Sequence, residues 1–243
     1  MEMAVMGKIR LDKYLADMGL GTRSEVKKLL KTKQVTVNGE TVTKPELKVD
    51  PDTDEILSSG EKVAYEDFEY YMLNKPQGVV SATEDNRDKT VLDCIPSRKR
   101  KDLFPVGRLD KDTEGLLLIT NDGDLAHRLL SPKKHVDKTY FVRLRDELTE
   151  EDCKKLCEGV DIGEKNPTLP AVVTKTKEES RQCCITIREG KFHQVKRMFA
   201  AVDNEVVYLK RLSMGSLILD KTLEPGQYRK LSGEEIERLK NNA

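Results

Sequence analysis

The chain has little that would take it into a membrane or commit it to a metal. No stretch approaches the roughly 20 apolar residues needed to span a bilayer, and Met1-Glu2-Met3-Ala4-Val5-Met6-Gly7 lacks an apolar core of signal-peptide length. A cytoplasmic protein is expected. Cysteine is scarce: there are five, including the adjacent Cys183 and Cys184 and the helix-spaced Cys153 and Cys157, with no Cys-x-x-Cys. That spacing excludes the usual zinc frameworks and leaves reduced packing residues. His127, His135 and His193 are too scattered to mark a metal site. Net charge is absent too, with 43 Lys and Arg against 43 Asp and Glu. Evenly spread, that balance would argue against a nucleic-acid partner.

The charge is not evenly spread. Between Lys8 and Lys33 the bases Lys8, Arg10, Lys13, Arg23, Lys27, Lys28, Lys31 and Lys33 face only Asp12, Asp17 and Glu25, and acids dominate from Gln34 to Glu69. The basic stretch reads as part of a small module. Leu11, Tyr14, Leu15 and Met18 recur at helical spacing before Gly19, and Thr22 with Glu25 forms a capping box for a second helix. Its apolar stripe is Val26, Leu29 and Leu30, which leaves Arg23, Lys27, Lys28 and Lys31 on the outer faces. Two β-like runs then flank Asn38-Gly39, the strongest short hairpin signal. On charge alone such a helix is more often a solvated face than an RNA contact.

The stretch from Gly107 to Gly123 carries most information. Leu116-Leu117-Leu118-Ile119 is too short for an isolated helix and ends at Asn121-Asp122-Gly123, so it reads as a core strand. Asp110 therefore lies on the loop leading into a buried strand, a place where binding and catalytic groups concentrate. Three readings compete. Asp110, Asp112, Glu114 and Gly115 match the start of an EF-hand loop, but Asn121 stands where a bidentate Glu must close it and no helix flanks the loop. Carboxylates capping turns and a catalytic Asp110 both stay open on the local pattern.

The remainder alternates strands and helices. Candidate strands are residues 70–73, 79–80, 116–120, 139–144, 171–176 and 183–188, and candidate helices are 124–130 and 150–158. Val195, Met198, Phe199 and Val202 mark another helix, and the capping box Ser232 and Glu235 starts a last one from Gly233 to about Lys240.

Gly107-Arg108-Leu109-Asp110, Thr113, Gly115-Leu116-Leu117-Leu118 and Thr120-Asn121-Asp122-Gly123 together resemble the active-site signature of the pseudouridine synthases, specifically the RsuA family that modifies 16S ribosomal RNA. Tyr71 to Gly78, Ser131-Pro132, Lys138-Thr139-Tyr140 and Glu189 to Phe199 resemble that family's other motifs, in the right order. The N-terminal module resembles the alpha-L RNA-binding motif. The resemblance implies an α+β protein with an alpha-L module over residues 7–66. A catalytic domain with a mixed, mostly antiparallel sheet follows over 67–243.

The implied activity is isomerisation of one uridine of 16S rRNA to pseudouridine, with no cofactor and no metal. Asp110 is the implied catalytic carboxylate, attacking the ribose or assisting removal of a ribose proton. Lys196 occupies the position of its cationic partner, with Arg197 as the alternative. Tyr140 would stack on the extruded base and take the carbon 5 proton, and Arg108 would touch the RNA backbone or fill the gap left by the flipped uridine. Asn74, Lys75 and His193 are expected as scaffold or RNA contacts. Arg10, Lys13, Arg23, Lys27, Lys28 and Lys31 are expected on phosphates.

The expected partner is 16S rRNA in an assembling small subunit, bound by a monomer. His127 to Pro132, Pro170-Ala171-Val172 and His193 to Val202 favour the 16S enzymes over their 23S relatives, which are the runner-up. A non-catalytic ribosome-assembly factor is the alternative of another class. Two departures stand out: Glu114 where the family often has Ser or Thr, and Asp203 where Gly is usual.

Overall fold

A computed structural model describes residues 7–176 and 179–242. Two compact units emerge, one taking in the chain up to Glu69 together with Ser97–Leu103, the other Tyr70–Pro96 and the chain from Phe104 onward. The division falls slightly beyond the boundary at 66 read from the sequence. Ser97–Leu103 belongs to the first unit although it lies inside the second in sequence. Arg100 explains the attachment: it is buried, hydrogen-bonds Asp102 through two guanidinium nitrogens at 2.6 and 2.9 Å, and donates its backbone N–H to Glu69 at 2.9 Å.

In the first unit, β1 (Ile9–Arg10) runs into α1 (Leu11–Asp17), and α2 (Arg23–Lys31) follows after a short turn. The capping box is formed in full: Thr22 N–H donates to Glu25 at 2.7 Å and Glu25 N–H to the Thr22 hydroxyl at 3.3 Å. Next come β2 (Val35–Val37), β3 (Glu40–Thr41), β4 (Lys48–Val49), β5 (Ile56–Ser58) and β6 (Glu61–Lys62). Asn38 and Gly39 both adopt positive φ, +50° and +82°, as a two-residue type I′ hairpin turn requires. Leu11, Tyr14, Leu15, Val26, Leu30, Val35, Val49 and Ile56 make the core.

The second unit is built on β7 (Tyr70–Lys75), β8 (Phe104–Pro105), β9 (Glu114–Thr120), β10 (Lys138–Leu144), β11 (Val172–Lys175), β12 (Gln182–Ile187), β13 (Val206–Met214), β14 (Leu217–Ile218) and β15 (Tyr228–Lys230). The sheet order is β11-β12-β10-β13-β9-β7-β15, with β8 and β14 paired at the side of β9 and β13. All pairs are antiparallel except β9 with β13, so the sheet is mixed and mostly antiparallel as expected. β7 and β9 are interior strands, and their near-continuous burial explains why neither shows the alternation of a one-sided strand. Leu125 and Leu129 of α3 (Gly123–Leu130) and Leu239 of α6 (Gly233–Asn241) pack on Met72, Leu116 and Leu118 of one face. α4 (Glu150–Glu158) and α5 (Gln194–Ala200) complete the unit.

Two expectations need correction. Val79-Val80 is not a strand: it follows the turn at Gln77-Gly78, and Val80 makes one isolated bridge to Thr90. The longest strand, β13, was not expected at all, because Lys210 and Arg211 interrupt its apolar run. In the fold Arg211 is buried, only 2% exposed, and its Nε donates to the Leu116 carbonyl at 2.7 Å.

Candidate active site

Asp110 sits on the segment between β8 and β9, and that segment is pinned along its length. Leu109 is buried, and the Ser81 hydroxyl bridges both its backbone groups, donating to its carbonyl at 2.8 Å and accepting from its N–H at 3.1 Å. Thr113 N–H closes a turn onto the Asp110 carbonyl at 3.0 Å. The Lys75 side chain, fully buried at the end of β7, sends its ammonium to the carbonyls of Pro76, Asp110, Lys111 and Thr113 at 2.9–3.3 Å. A loop so fastened presents its carboxylate in one place, which proximity effects in catalysis require.

Burial pulls the Lys75 pKa down to about 8, against the opposing pull of Asp110 and Asp112. Below pH 8 the amine is protonated in folded and unfolded chains alike. Between pH 8 and its ordinary value of 10.5 the unfolded chain holds a proton that the folded chain has released, so stability rises with pH. Lys75→Met strands several buried carbonyls and is expected to lower stability at pH 7 by roughly 2–4 kcal/mol. The wild type's advantage over it should stay flat below pH 8 and widen between pH 8 and 10.5. Urea denaturation of both proteins across that range reads this directly, and a constant difference would show that Lys75 is not depressed.

The Asp110 carboxylate meets two basic groups contributed by the α5 end of the chain. Lys196 Nζ lies 3.3 Å from one oxygen and His193 Nε2 3.5 Å from the other. Lys196 is shared, binding both oxygens of Asp112 more closely, at 2.6 and 2.9 Å. Burial opposes its charge, but the hydrogen bond it donates to Asp112 and the charge of Asp110 outweigh it and hold the Lys196 pKa above the ordinary value. The same hydrogen bond holds Asp112 below the usual carboxylate range.

Arg197 does not reach Asp110. Its guanidinium binds Glu164 at 2.8 Å, the Phe192 carbonyl at 3.1 Å and the Ile162 carbonyl, so it clamps two loops together. The reason is helical geometry: Val195, Met198 and Phe199 fix the buried face of α5, and consecutive residues 196 and 197 then point about 100° apart.

The carboxylates of the acidic loop take separate roles. Asp112 is held by Lys196, while Glu114 accepts a hydrogen bond from the Tyr208 hydroxyl at 2.6 Å. Asp122 takes the capping role, accepting from Leu125 N–H at 2.9 Å and from the Tyr70 hydroxyl at 2.7 Å. The capping reading of these carboxylates therefore applies to Asp122. Asp203 adopts φ +59°, a conformation Gly takes freely and Asp tolerates, which accounts for that departure.

Asp110 borders a cavity of about 270 Å³ whose wall includes Arg108, Tyr140, Lys138, Lys196 and Arg211. This is just below the usual range of small-molecule pockets and matches one nucleoside better than a larger ligand. Tyr140 stands on β10 beside a register shift against β13, an irregularity that re-aims side chains near functional sites. Arg108 is exposed and has no hydrogen bond or ion pair among the described residues.

Three further expectations are revised. Asn74 and Lys75 are fully buried, so of the two roles expected for them only scaffold remains; Asn74 donates to the Leu223 carbonyl at 2.7 Å. Arg10 is bound by two hydrogen bonds to buried Asp12, at 2.8 and 2.9 Å, and first serves the module's own fold. Lys13, Arg23, Lys27, Lys28 and Lys31 are exposed and, among the described residues, form no ion pair. Ser81, Lys138 and Arg211 were not foreseen, because each contributes through a partner distant in sequence or a surrounding cavity.

A Leu-Asp loop stapled to the sheet at a nucleoside-sized cavity, in a chain that also carries an exposed basic helix, fits an RNA-modifying enzyme. The model of the RNA pseudouridylate synthase family matches residues 69–201, and that of the S4 domain residues 9–56. An uncharacterized RNA pseudouridine synthase of Bacillus subtilis, YtzG, is 53% identical over 95% of this chain and 98% of its own length. The ribosomal small subunit pseudouridine synthase A of Vibrio vulnificus is 44% identical over 95% of this chain and 99% of its own. A pseudouridylate synthase crystal structure aligns with a TM-score of 0.67 at 41% identity, covering 95% of this chain and 99% of that one. The chain belongs to the RNA pseudouridylate synthase family and carries an S4 domain ahead of the catalytic fold; it is an isomerase.

Proposed function

We propose that this enzyme isomerises one uridine of small-subunit 16S ribosomal RNA to pseudouridine, with Asp110 as the acting carboxylate. The observation that carries the assignment is the placement of Asp110 on a rigid loop at a nucleoside-sized cavity, with Lys196 3.3 Å away and Tyr140 in the wall. The small-subunit enzyme of Vibrio vulnificus supports the choice of RNA.

In the reaction the N1–C1′ bond breaks and a C5–C1′ bond forms; N1 gains a proton and C5 loses one. Asp110 either attacks C1′ or accepts a proton from C2′, and both routes need a carboxylate oxygen within reach of the ribose. Lys196 and His193 flank that carboxylate and orient it. The uridine enters the cavity flipped from its stack, Tyr140 stacks on the ring and accepts the C5 proton, and Arg108 contacts the RNA backbone or fills the space the uridine leaves. Lys13, Arg23, Lys27, Lys28 and Lys31 supply phosphate contacts with little sequence content, so affinity falls steeply with salt. The substrate is an assembling small-subunit particle bound by a monomer, which places the enzyme in the cytoplasm.

Tritium release from transcripts labelled at uracil carbon 5 tests this reading on 16S, 23S and 16S bound by small-subunit proteins. About one tritium released per 16S molecule is the expected result, by the one-site reaction. Release from 23S alone would overturn the choice of RNA, and release from none would leave an RNA-binding assembly factor.

A further inference from the structure

A second cavity, of about 420 Å³, lies beside the first and shares Arg108, Asp110 and His193 with it; Ser81, Ala82 and Phe192 extend its wall. Phe192 does not border the first cavity. Its side chain is 69% exposed. Exposure alone decides nothing, since scattered surface apolar residues are normal; Ile218 is equally exposed. Phe192 differs in its setting. Its ring stacks on His193 with centroids 3.8 Å apart and planes 19° from parallel, and the His193 imidazole reaches Asp110. The chain turns sharply there, with His193 at φ +47°.

The two rings therefore form a short stack beside Asp110, with one face of the Phe ring uncovered. The cations around the second cavity differ in availability. Lys111 is paired with Asp88 at 2.7 Å, and Lys191 donates to the carbonyls of Asn166 and Pro167. Arg108 has no such partner among the described residues. An open aromatic face next to an unpaired guanidinium is the pairing that binds single-stranded nucleotides, because any base offers a π-face and its phosphate an anion.

We propose that this second cavity holds a nucleotide adjacent to the target uridine, its base stacked on Phe192 and its phosphate at Arg108. The inference rests on the function proposed above. Flipping the uridine strips its neighbours of a stacking partner, and a flanking nucleotide is necessarily one backbone step from Asp110. Phe192 supplies a replacement surface at that distance. The contact is indifferent to base identity, so it lowers the cost of extrusion without selecting the site.

The test compares wild type with Phe192→Ala, Phe192→Leu and Phe192→Tyr in tritium release from 16S transcripts bound by small-subunit proteins, after the modified uridine has been mapped. Transcripts lacking the base at either flanking position complete a double-mutant cycle. Phe192→Ala is expected to lower kcat/KM about tenfold, the loss of one stacked base. Phe192→Tyr should restore it and Phe192→Leu should not. With one flanking base removed, Phe192→Ala should have no further effect. An unimpaired Phe192→Ala, or a loss that persists undiminished on both abasic transcripts, would overturn the inference while leaving the enzyme reading intact. No release by wild type would instead remove the function on which it rests, and this inference with it. Matching thermal melts confirm that the exposed substitutions leave folding alone.

Discussion

Asp110→Asn is expected to abolish pseudouridine formation, by about 10⁴-fold or more in rate, while RNA binding stays within a few-fold of wild type. The substitution keeps the side chain's shape and removes the only property both routes need, an anionic oxygen that can attack carbon or accept a proton. Removing one partner of an ion pair is usually costly because the other charge is left behind. Here Lys196 keeps Asp112, whose oxygens it already approaches more closely at 2.6 and 2.9 Å. Lys75 binds the backbone carbonyl of Asp110, not its carboxylate, so the loop keeps its staple. Activity should therefore fall without a fall in stability. Single-turnover tritium release, filter binding and a thermal melt separate these quantities. Activity retained within tenfold would move the acting role to another carboxylate, Asp112 first.

The largest effect on stability is expected at Gly115, where β9 runs parallel to β13. A Cβ there would stand 2.2 Å from the Arg211 carbonyl oxygen and 2.7 Å from its nitrogen, and φ is +104°. Both contacts are backbone in the middle of the sheet, so no side chain can swing aside. Gly115→Ala combines steric overlap with a disfavoured backbone and should cost about 3 kcal/mol or more. Because Gly115 also pairs with Lys75, the displacement reaches the Asp110 loop and activity should fall with stability. Gly78→Ala is the control: φ is +81° but nothing lies within 4 Å of the added carbon. It bears conformational strain alone, about 1 kcal/mol. Denaturant titrations of the two variants should separate clearly, and equal midpoints would mean that the β9 and β13 backbones are not in such close approach.

Much of the architecture was legible because its causes are local. Thr22 with Glu25 and Ser232 with Glu235 formed the capping boxes their spacing implies. Asn38-Gly39 turned the hairpin, and Asn121-Asp122-Gly123 ended β9, with Asp122 capping the next helix. Each signal acts across a few residues, where chain connectivity already holds the groups together. β13 was missed for the converse reason. Lys210 and Arg211 make it look exposed, and only the carbonyl of Leu116 and the surrounding cavity make a buried guanidinium tenable there.

The candidate site divides along the same line. The sequence by itself determined an Asp on a loop feeding a buried strand, a basic helical module, and motifs in an order that points to one enzyme family. Which cation serves Asp110 was open between neighbours, because adjacent residues are equivalent in a linear pattern. Only tertiary structure decided it, by burying one face of α5 and thereby turning Lys196 toward the loop and Arg197 away. It also made Lys75 a buried staple 35 residues from the Asp110 carbonyl it binds, and set the open ring of Phe192 beside Asp110. Local chemistry selects elements within a few residues, whereas direction, burial and partnership are settled when distant segments compete for the same space.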